Sequence, residues 1–96
     1  MKTVKEIKKI LIQHKKELAD RYKVKEIGIF GSYVRGEGKD KSDLDILVEF
    51  IQPIGLKFIE LAEFLENILG VKIDLVSKGA IKPNRWKYIE EELVYV

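Results

Sequence analysis

The 96-residue chain contains no cysteine, two prolines, and a single tryptophan, methionine and histidine. Without cysteine there can be no disulfide framework, no thiolate metal centre and no thiol nucleophile, and a cytoplasmic compartment is the expectation. No apolar run approaches the roughly 20 residues a membrane-spanning helix needs. The opening MKTVKEIKK alternates charged and aliphatic residues and has no signal-peptide core. Hydrophobic residues make up 46% and charged residues 35% of the chain, the balance of a globular protein. The length fits one domain over residues 1–96, with a modest core and little material for a second substrate-binding lobe.

The formal net charge is +2, but it is unevenly spread. Residues 1–25 carry nine Lys/Arg against three Asp/Glu, and residues 26–96 carry nine against thirteen. The basic excess at the start reads first as a solvated helix face, although it would also attract a phosphate-bearing or acidic partner. Abundant Lys, Glu and Ile lean towards a thermophilic source.

The pattern predicts helices alternating with strands, an α/β or α+β layer arrangement around a small sheet. Thr3-x-x-Glu6 is a capping box. Val4, Ile7, Leu11, His14 and Leu18 then form one helical stripe, with His14 read as a packing residue. Glu26–Phe30 reads as a strand running into Gly31-Ser32, followed by a helical turn over Tyr33–Gly36, with Tyr33 packing it against the sheet. A polar loop through Gly38, Lys39, Asp40, Lys41 and Ser42 leads to a strand at Asp43–Phe50. A helix over Leu56–Leu69 buries Phe58, Leu61, Ala62, Leu65, Ile68 and Leu69, and Gly70 takes the C-cap. Val71–Val76 is a third strand. Pro83 opens a helix to Glu92, and Leu93–Val96 reads as an edge strand.

The chemistry concentrates between Gly31 and Asp74. Along a strand, residues i and i+2 share a face, so Asp43, Asp45, Leu47 and Glu49 lie opposite the apolar Leu44, Ile46, Val48 and Phe50. The Cα atoms of Asp43 and Asp45 are then roughly 6.5 Å apart, close enough for both carboxylates to reach one cation. Oxygen-only ligands suit Mg²⁺ or Mn²⁺ rather than zinc. Asp74 stands in the middle of an aliphatic strand, where an unpaired buried charge needs a reason, and it can complete a three-carboxylate cluster if the two strands are neighbours. Gly31 lets a phosphate approach the backbone, the following N–H groups favour an anion, and the Ser32 hydroxyl can cap the turn or donate to a phosphate. Arg35 also reads simply as an ion-pair partner for Asp43. Glu49, roughly 13 Å further along the strand from Asp45, reads as solvated. Lys39 and Lys41 read as solvent-facing, with triphosphate screening as their functional alternative. Trp86 and Tyr88 read as packing or interface residues.

Gly31-Ser32-x-x-Arg35-Gly36, Ser42-Asp43-x-Asp45 and the later strand aspartate Asp74 together resemble the DNA polymerase β-type nucleotidyltransferase superfamily, and within it the minimal nucleotidyltransferase (MNT) proteins. The resemblance covers about Ile27–Val76, and no motif position departs from it. It implies a small, mixed, twisted sheet of three to four strands flanked by helices, expected on one side. It implies two Mg²⁺ ions, with Mn²⁺ as substitute, held by Asp43, Asp45 and Asp74. ATP would be the substrate, with Gly31, Ser32 and Arg35 as nucleotide-binding residues. It also implies a HEPN-domain toxin as partner in a hetero-oligomer, with AMP transferred to a hydroxyl of that partner. Three other readings stand beside it: a non-catalytic antitoxin that only masks its partner, an enzyme modifying a nucleic-acid end, and a small-molecule nucleotidyltransferase, which would need a further domain to hold its acceptor. The acid triad argues against the first. The lack of interleaved aromatics or a second domain argues against the second.

Overall fold

The computed structural model describes residues 2–37 and 42–96. The polar-loop residues Gly38, Lys39, Asp40 and Lys41, including the two candidate phosphate-screening lysines, lie outside the described residues.

Helix α1 spans Val4–Gln13 and opens with the expected capping box: the Glu6 N–H donates to Thr3 Oγ1 at 3.2 Å, and the Thr3 N–H donates to Glu6 Oε1 at 3.2 Å. The helix does not continue through residue 18. His14 leaves helical geometry at φ −106, ψ 8, and a second helix, α2, runs over Lys15–Tyr22. The apolar stripe survives the break, because Ile7, Leu11, Leu18 and Tyr22 are all fully buried. His14 is a packing residue: its Nδ1 lies 2.9 Å from the Ile10 carbonyl oxygen, and its ring meets the Phe64 ring edge-on at 5.8 Å.

Strand β1, Val24–Phe30, starts two residues earlier than the pattern indicated. A single 3₁₀ turn at Gly31–Tyr33 follows. Strand β2 is Leu44–Phe50, helix α3 Lys57–Leu69 and strand β3 Ile73–Ser77. Helix α4 spans Pro83–Glu92, and the short strand β4 is Val94–Tyr95. Gly70 ends α3 in the left-handed conformation at φ 67, and Pro83 occupies the first turn of α4, both as expected. No described helix is long and apolar enough to cross a membrane.

The four strands form one mixed sheet in the order β3-β2-β1-β4. Strand β2 pairs antiparallel with β1 and parallel with β3, and β4 pairs antiparallel with β1 through Gly28–Tyr95 and Ile29–Val94. Alternation along β2 divides the molecule. Leu44, Ile46 and Val48 join Ile27 and Ile29 of β1 against α1, α2 and α3. Burying each such side chain stabilises the fold by roughly 1.5–3 kcal/mol. Of the six residues expected to form the buried stripe of α3, Leu61, Leu65 and Leu69 are fully buried.

The expectation of helices on one side needs correction. Phe30 and Leu47, on the opposite face, are buried under Ile89 of α4, with Trp86 and Val76 packed beside them. An aliphatic Leu47 on the acid-bearing face requires such a cover, and α4 supplies it. Gly28 lets the chain close in there, since a Cβ at this position would come within 2.8 Å of Leu93 Cδ1 and 3.2 Å of the Val94 carbonyl oxygen.

Candidate active site

The acid-bearing face of β2 and the turn after β1 meet at one end of the sheet. Phe30 pairs with Asp45 across the antiparallel ladder, so Gly31 leaves β1 directly beside that carboxylate. Gly31 is buried with φ +80, and a Cβ there would collide with Asp45 Oδ2. Glycine is required here on two counts: the backbone is left-handed, and the Asp45 carboxylate occupies the side-chain space.

Parallel pairing of β2 with β3 places Asp45 and Asp74 in direct register. Neighbouring strands run about 4.8 Å apart, so two carboxylates project from adjacent positions. Asp45 is half-buried, and its pKa is pushed up to about 6, first by burial, then by repulsion from Asp74 and a hydrogen bond with it, and more weakly by Asp43; the Arg35 charge opposes the shift. Asp74 is exposed on edge strand β3, so it is not the buried charge that its aliphatic neighbours in sequence suggest. The burden of burial falls on Asp45 instead. Among the described residues no three acidic or imidazole side chains converge into a set ready to enclose an ion. The nucleus is the Asp45–Asp74 pair, with exposed Asp43 adding to the same field from just before β2. Like charges spread apart when nothing positive lies between them. Oxygen-only donors that repel one another beside a half-buried carboxylate fit a hard divalent cation.

The turn itself presents open donors. The Val34 and Arg35 N–H groups bond to the Gly31 carbonyl oxygen, and Glu37 N–H to that of Ser32. Among the described residues the N–H groups of Ser32 and Tyr33 and the Ser32 hydroxyl have no acceptor. The Gly31 N–H is taken: it donates to Glu92 Oε1 at 3.0 Å. The unpaired amides of the turn are therefore those of Ser32 and Tyr33, not that of Gly31. Tyr33 is buried against the main core, as expected.

Arg35 does not pair with Asp43. Its Nη1 meets Glu92 Oε2 at 2.9 Å and its Nε meets Glu37 Oε2 at 3.1 Å. Glu92, at the last position of α4, was not anticipated as part of the site. A signal was present: a glutamate at a helix C-terminus opposes the helix dipole, and so calls for a cationic or N–H partner. Glu49 is half-buried with Lys78 at 3.9 Å, rather than freely solvated. Lys78 also stacks over the Trp86 ring at 4.9 Å. Trp86 is thus a packing residue, whereas Tyr88 is 72% exposed.

A carboxylate pair beside a turn with unpaired amides is an arrangement that nucleotidyl transfer can use. Residues 11–96 match the family described as nucleotidyltransferase domain. The chain is 56% identical to the protein adenylyltransferase MntA of Thermococcus cleftensis over 97 residues, covering 100% of this chain and 98% of that protein. A solved structure described as a minimal nucleotidyltransferase superposes with a TM-score of 0.74 at 30% identity, covering 92% of this chain and 93% of the other. A solved complex of the tri-AMPylated Shewanella oneidensis HEPN toxin with MNT antitoxin matches with a TM-score of 0.67 at 23% identity, over 93% of this chain and 70% of the other, a likeness of fold. The protein belongs to the nucleotidyltransferase domain family and is a minimal nucleotidyltransferase.

Proposed function

We propose that the protein transfers AMP from ATP to a hydroxyl of a protein partner, and that it serves in the cytoplasm as the antitoxin of a HEPN-type toxin in a hetero-oligomeric complex. The observation that carries this reading is the meeting of the Asp45–Asp74 pair with the open Ser32 and Tyr33 amides at one end of the sheet. The named activity of the T. cleftensis relative supports the protein acceptor. The S. oneidensis complex supports the kind of partner.

In this reading the Ser32 hydroxyl and the Ser32 and Tyr33 amides hold the terminal phosphates, and Gly31 keeps the Asp45 carboxylate close to them. Arg35 offsets triphosphate charge. Asp43, Asp45 and Asp74 would hold two Mg²⁺ ions, or Mn²⁺ in their place, which would neutralise charge on the triphosphate and lower the pKa of the acceptor hydroxyl. The acceptor oxygen bonds to the α-phosphorus, the α–β phosphoanhydride bond breaks, and pyrophosphate leaves. The hydroxyl proton passes to the carboxylate of Asp74, which is exposed and so within reach of a macromolecular acceptor.

The test is incubation with labelled ATP, Mg²⁺ and the co-purified partner. The expected result is a gain on the partner in units of AMP that the double substitution Asp43→Asn, Asp45→Asn abolishes. A stable complex with no label transferred would replace this reading with that of a masking antitoxin. Efficient labelling of a nucleic-acid end instead would move the acceptor to that class.

A further inference from the structure

The Glu92 carboxylate reaches back 61 residues to the start of the anion-binding turn, where it makes two kinds of contact at once. Oε1 accepts the Gly31 N–H at 3.0 Å, and Arg35 Nη1 donates to Oε1 at 3.1 Å and to Oε2 at 2.9 Å. The guanidinium is held from its other side by Glu37, through Nε at 3.1 Å. The Glu92 side chain is 25% exposed, against 62% for Glu37, so it is the more firmly seated of the two anchors.

We propose that Glu92 is a positioning residue for the nucleotide site: it fixes the Gly31 amide and holds the Arg35 guanidinium beside the turn, ready for the triphosphate. The inference rests on the nucleotidyl-transfer reading above. Two features separate a fixed clamp from a mobile competitor for phosphate. First, the backbone around Glu92 is anchored on both sides. Ile89 is buried against Phe30 and Leu47, and Val94 and Tyr95 pair with Ile29 and Gly28 of the strand that leads into the turn. Second, the Ser32 and Tyr33 amides are open while Glu92 is seated, so a phosphate does not need its place. The last turn of α4 is thereby part of the active site, and the buried Gly31 conformation that makes room for Asp45 is held from outside its own loop.

The substitutions separate the two contacts. Glu92→Gln keeps an oxygen for the Gly31 N–H but removes the charge that holds Arg35. Glu92→Ala removes both. Nitrogen-15 spectra of the intact protein report the Gly31 amide, and calorimetric titration with Mg²⁺–ATP reports affinity. Glu92→Gln should leave the Gly31 resonance near its wild-type position and weaken ATP binding by about tenfold, the scale of one charge-assisted contact. In an Arg35→Ala background the same change should alter affinity by less than about twofold, because a positioning residue acts only through its partner. Glu92→Ala should also shift the Gly31 resonance. Exposed Glu90→Gln controls for loss of charge at the helix end and should leave affinity unchanged. The proposal is overturned by unchanged or tighter ATP binding in Glu92→Gln, by an equal loss with and without Arg35, or by a Gly31 resonance unmoved in Glu92→Ala. Wild-type protein that binds no Mg²⁺–ATP overturns the transfer reading and this role with it. Wild-type binding with an indifferent Glu92→Gln overturns the role of Glu92 alone.

Discussion

The Asp45 carboxylate lies against the Cα of Gly31, in the space that a side chain at that position would need. Gly31→Ala should therefore push Asp45 away from Asp74 and strain a left-handed backbone together. Gly36→Ala supplies the control, because Gly36 is also left-handed at φ +73 but has nothing within 4 Å of its Cβ position. The Gly36 change should lower stability by about 1 kcal/mol, the ordinary penalty for that conformation. The Gly31 change should cost about 2–4 kcal/mol and abolish metal-assisted ATP binding. Urea unfolding and calorimetry on the two variants measure the comparison, and equal effects would show that Asp45 adds nothing at Gly31.

Asp45 is charged against its environment. Its folded-state pKa of about 6 lies above the ordinary 3.8, so the fold binds this proton more tightly than the unfolded chain does. The resulting stabilisation is complete below pH 4 and disappears as pH rises towards and through 6. Above that, the ionised carboxylate is a standing liability on the order of 1–2 kcal/mol after allowance for its solvent contact. In chelator-treated protein, Asp45→Asn should be more stable than wild type at pH 7.5, and the advantage should shrink steadily towards pH 4. Added Mg²⁺ should stabilise the wild type and leave the variant unmoved. A pH-independent difference between the two would place the cause elsewhere than in this ionisation.

Strand alternation alone located the acid face of β2, because period-2 patterning decides which side chains share a side, and the pattern Asp43-Leu44-Asp45-Ile46 is unambiguous. Gly31-Ser32 was legible as a strand-to-turn glycine with a hydroxyl beside it and Asp74 as a carboxylate inside an aliphatic strand, and the family motif joined the two. What the pattern could not carry was contact between distant segments. Glu92 touches Gly31 across 61 residues, and no local periodicity encodes that. The burial of Asp45 rather than Asp74 depends on strand order, which puts β3 at the sheet edge. Leu47 was assigned to the acid face correctly, yet its burial there requires α4, whose place on that face comes from tertiary packing of Ile89 and Phe30. The break at His14 leaves no mark on the pattern because the apolar stripe continues across it.

Phe64 shows the same limit on the opposite face. It lies outside the periodic stripe of α3, but its ring packs on Tyr22 at 5.5 Å and makes a T-shaped contact with His14. Arg21 lies over it at 6.0 Å. Phe64→Ala should destabilise the fold by about 2–3 kcal/mol, less than for a fully buried ring because Phe64 is partly exposed. The ATP affinity of the remaining folded protein should be unchanged, since α3 covers the sheet face away from Asp45. A matched loss of affinity would reveal coupling through the sheet.

The three aspartates should separate by role. Asp74 is exposed on an edge strand, so Asp74→Asn should change stability by no more than about 0.5 kcal/mol. Asparagine keeps the shape of the side chain but lacks the charge that the proposed mechanism uses to take the hydroxyl proton and to hold a cation. Asp45 pairs beside the Gly31 turn and Asp43 lies just before the same strand, so both should be needed to bind Mg²⁺–ATP. Asp74 is exposed on edge strand β3, where the proposed mechanism assigns it to the acceptor hydroxyl. Asp74→Asn should therefore keep much of the ATP affinity and lose transfer by about a hundredfold or more, the scale of a removed general base. Asp43→Asn should lose both. Single-turnover transfer to the partner, measured beside ATP titration on the same preparations, reads the two quantities separately. Transfer at the wild-type rate by Asp74→Asn would reduce Asp74 to a strand residue and leave the chemistry to Asp43 and Asp45.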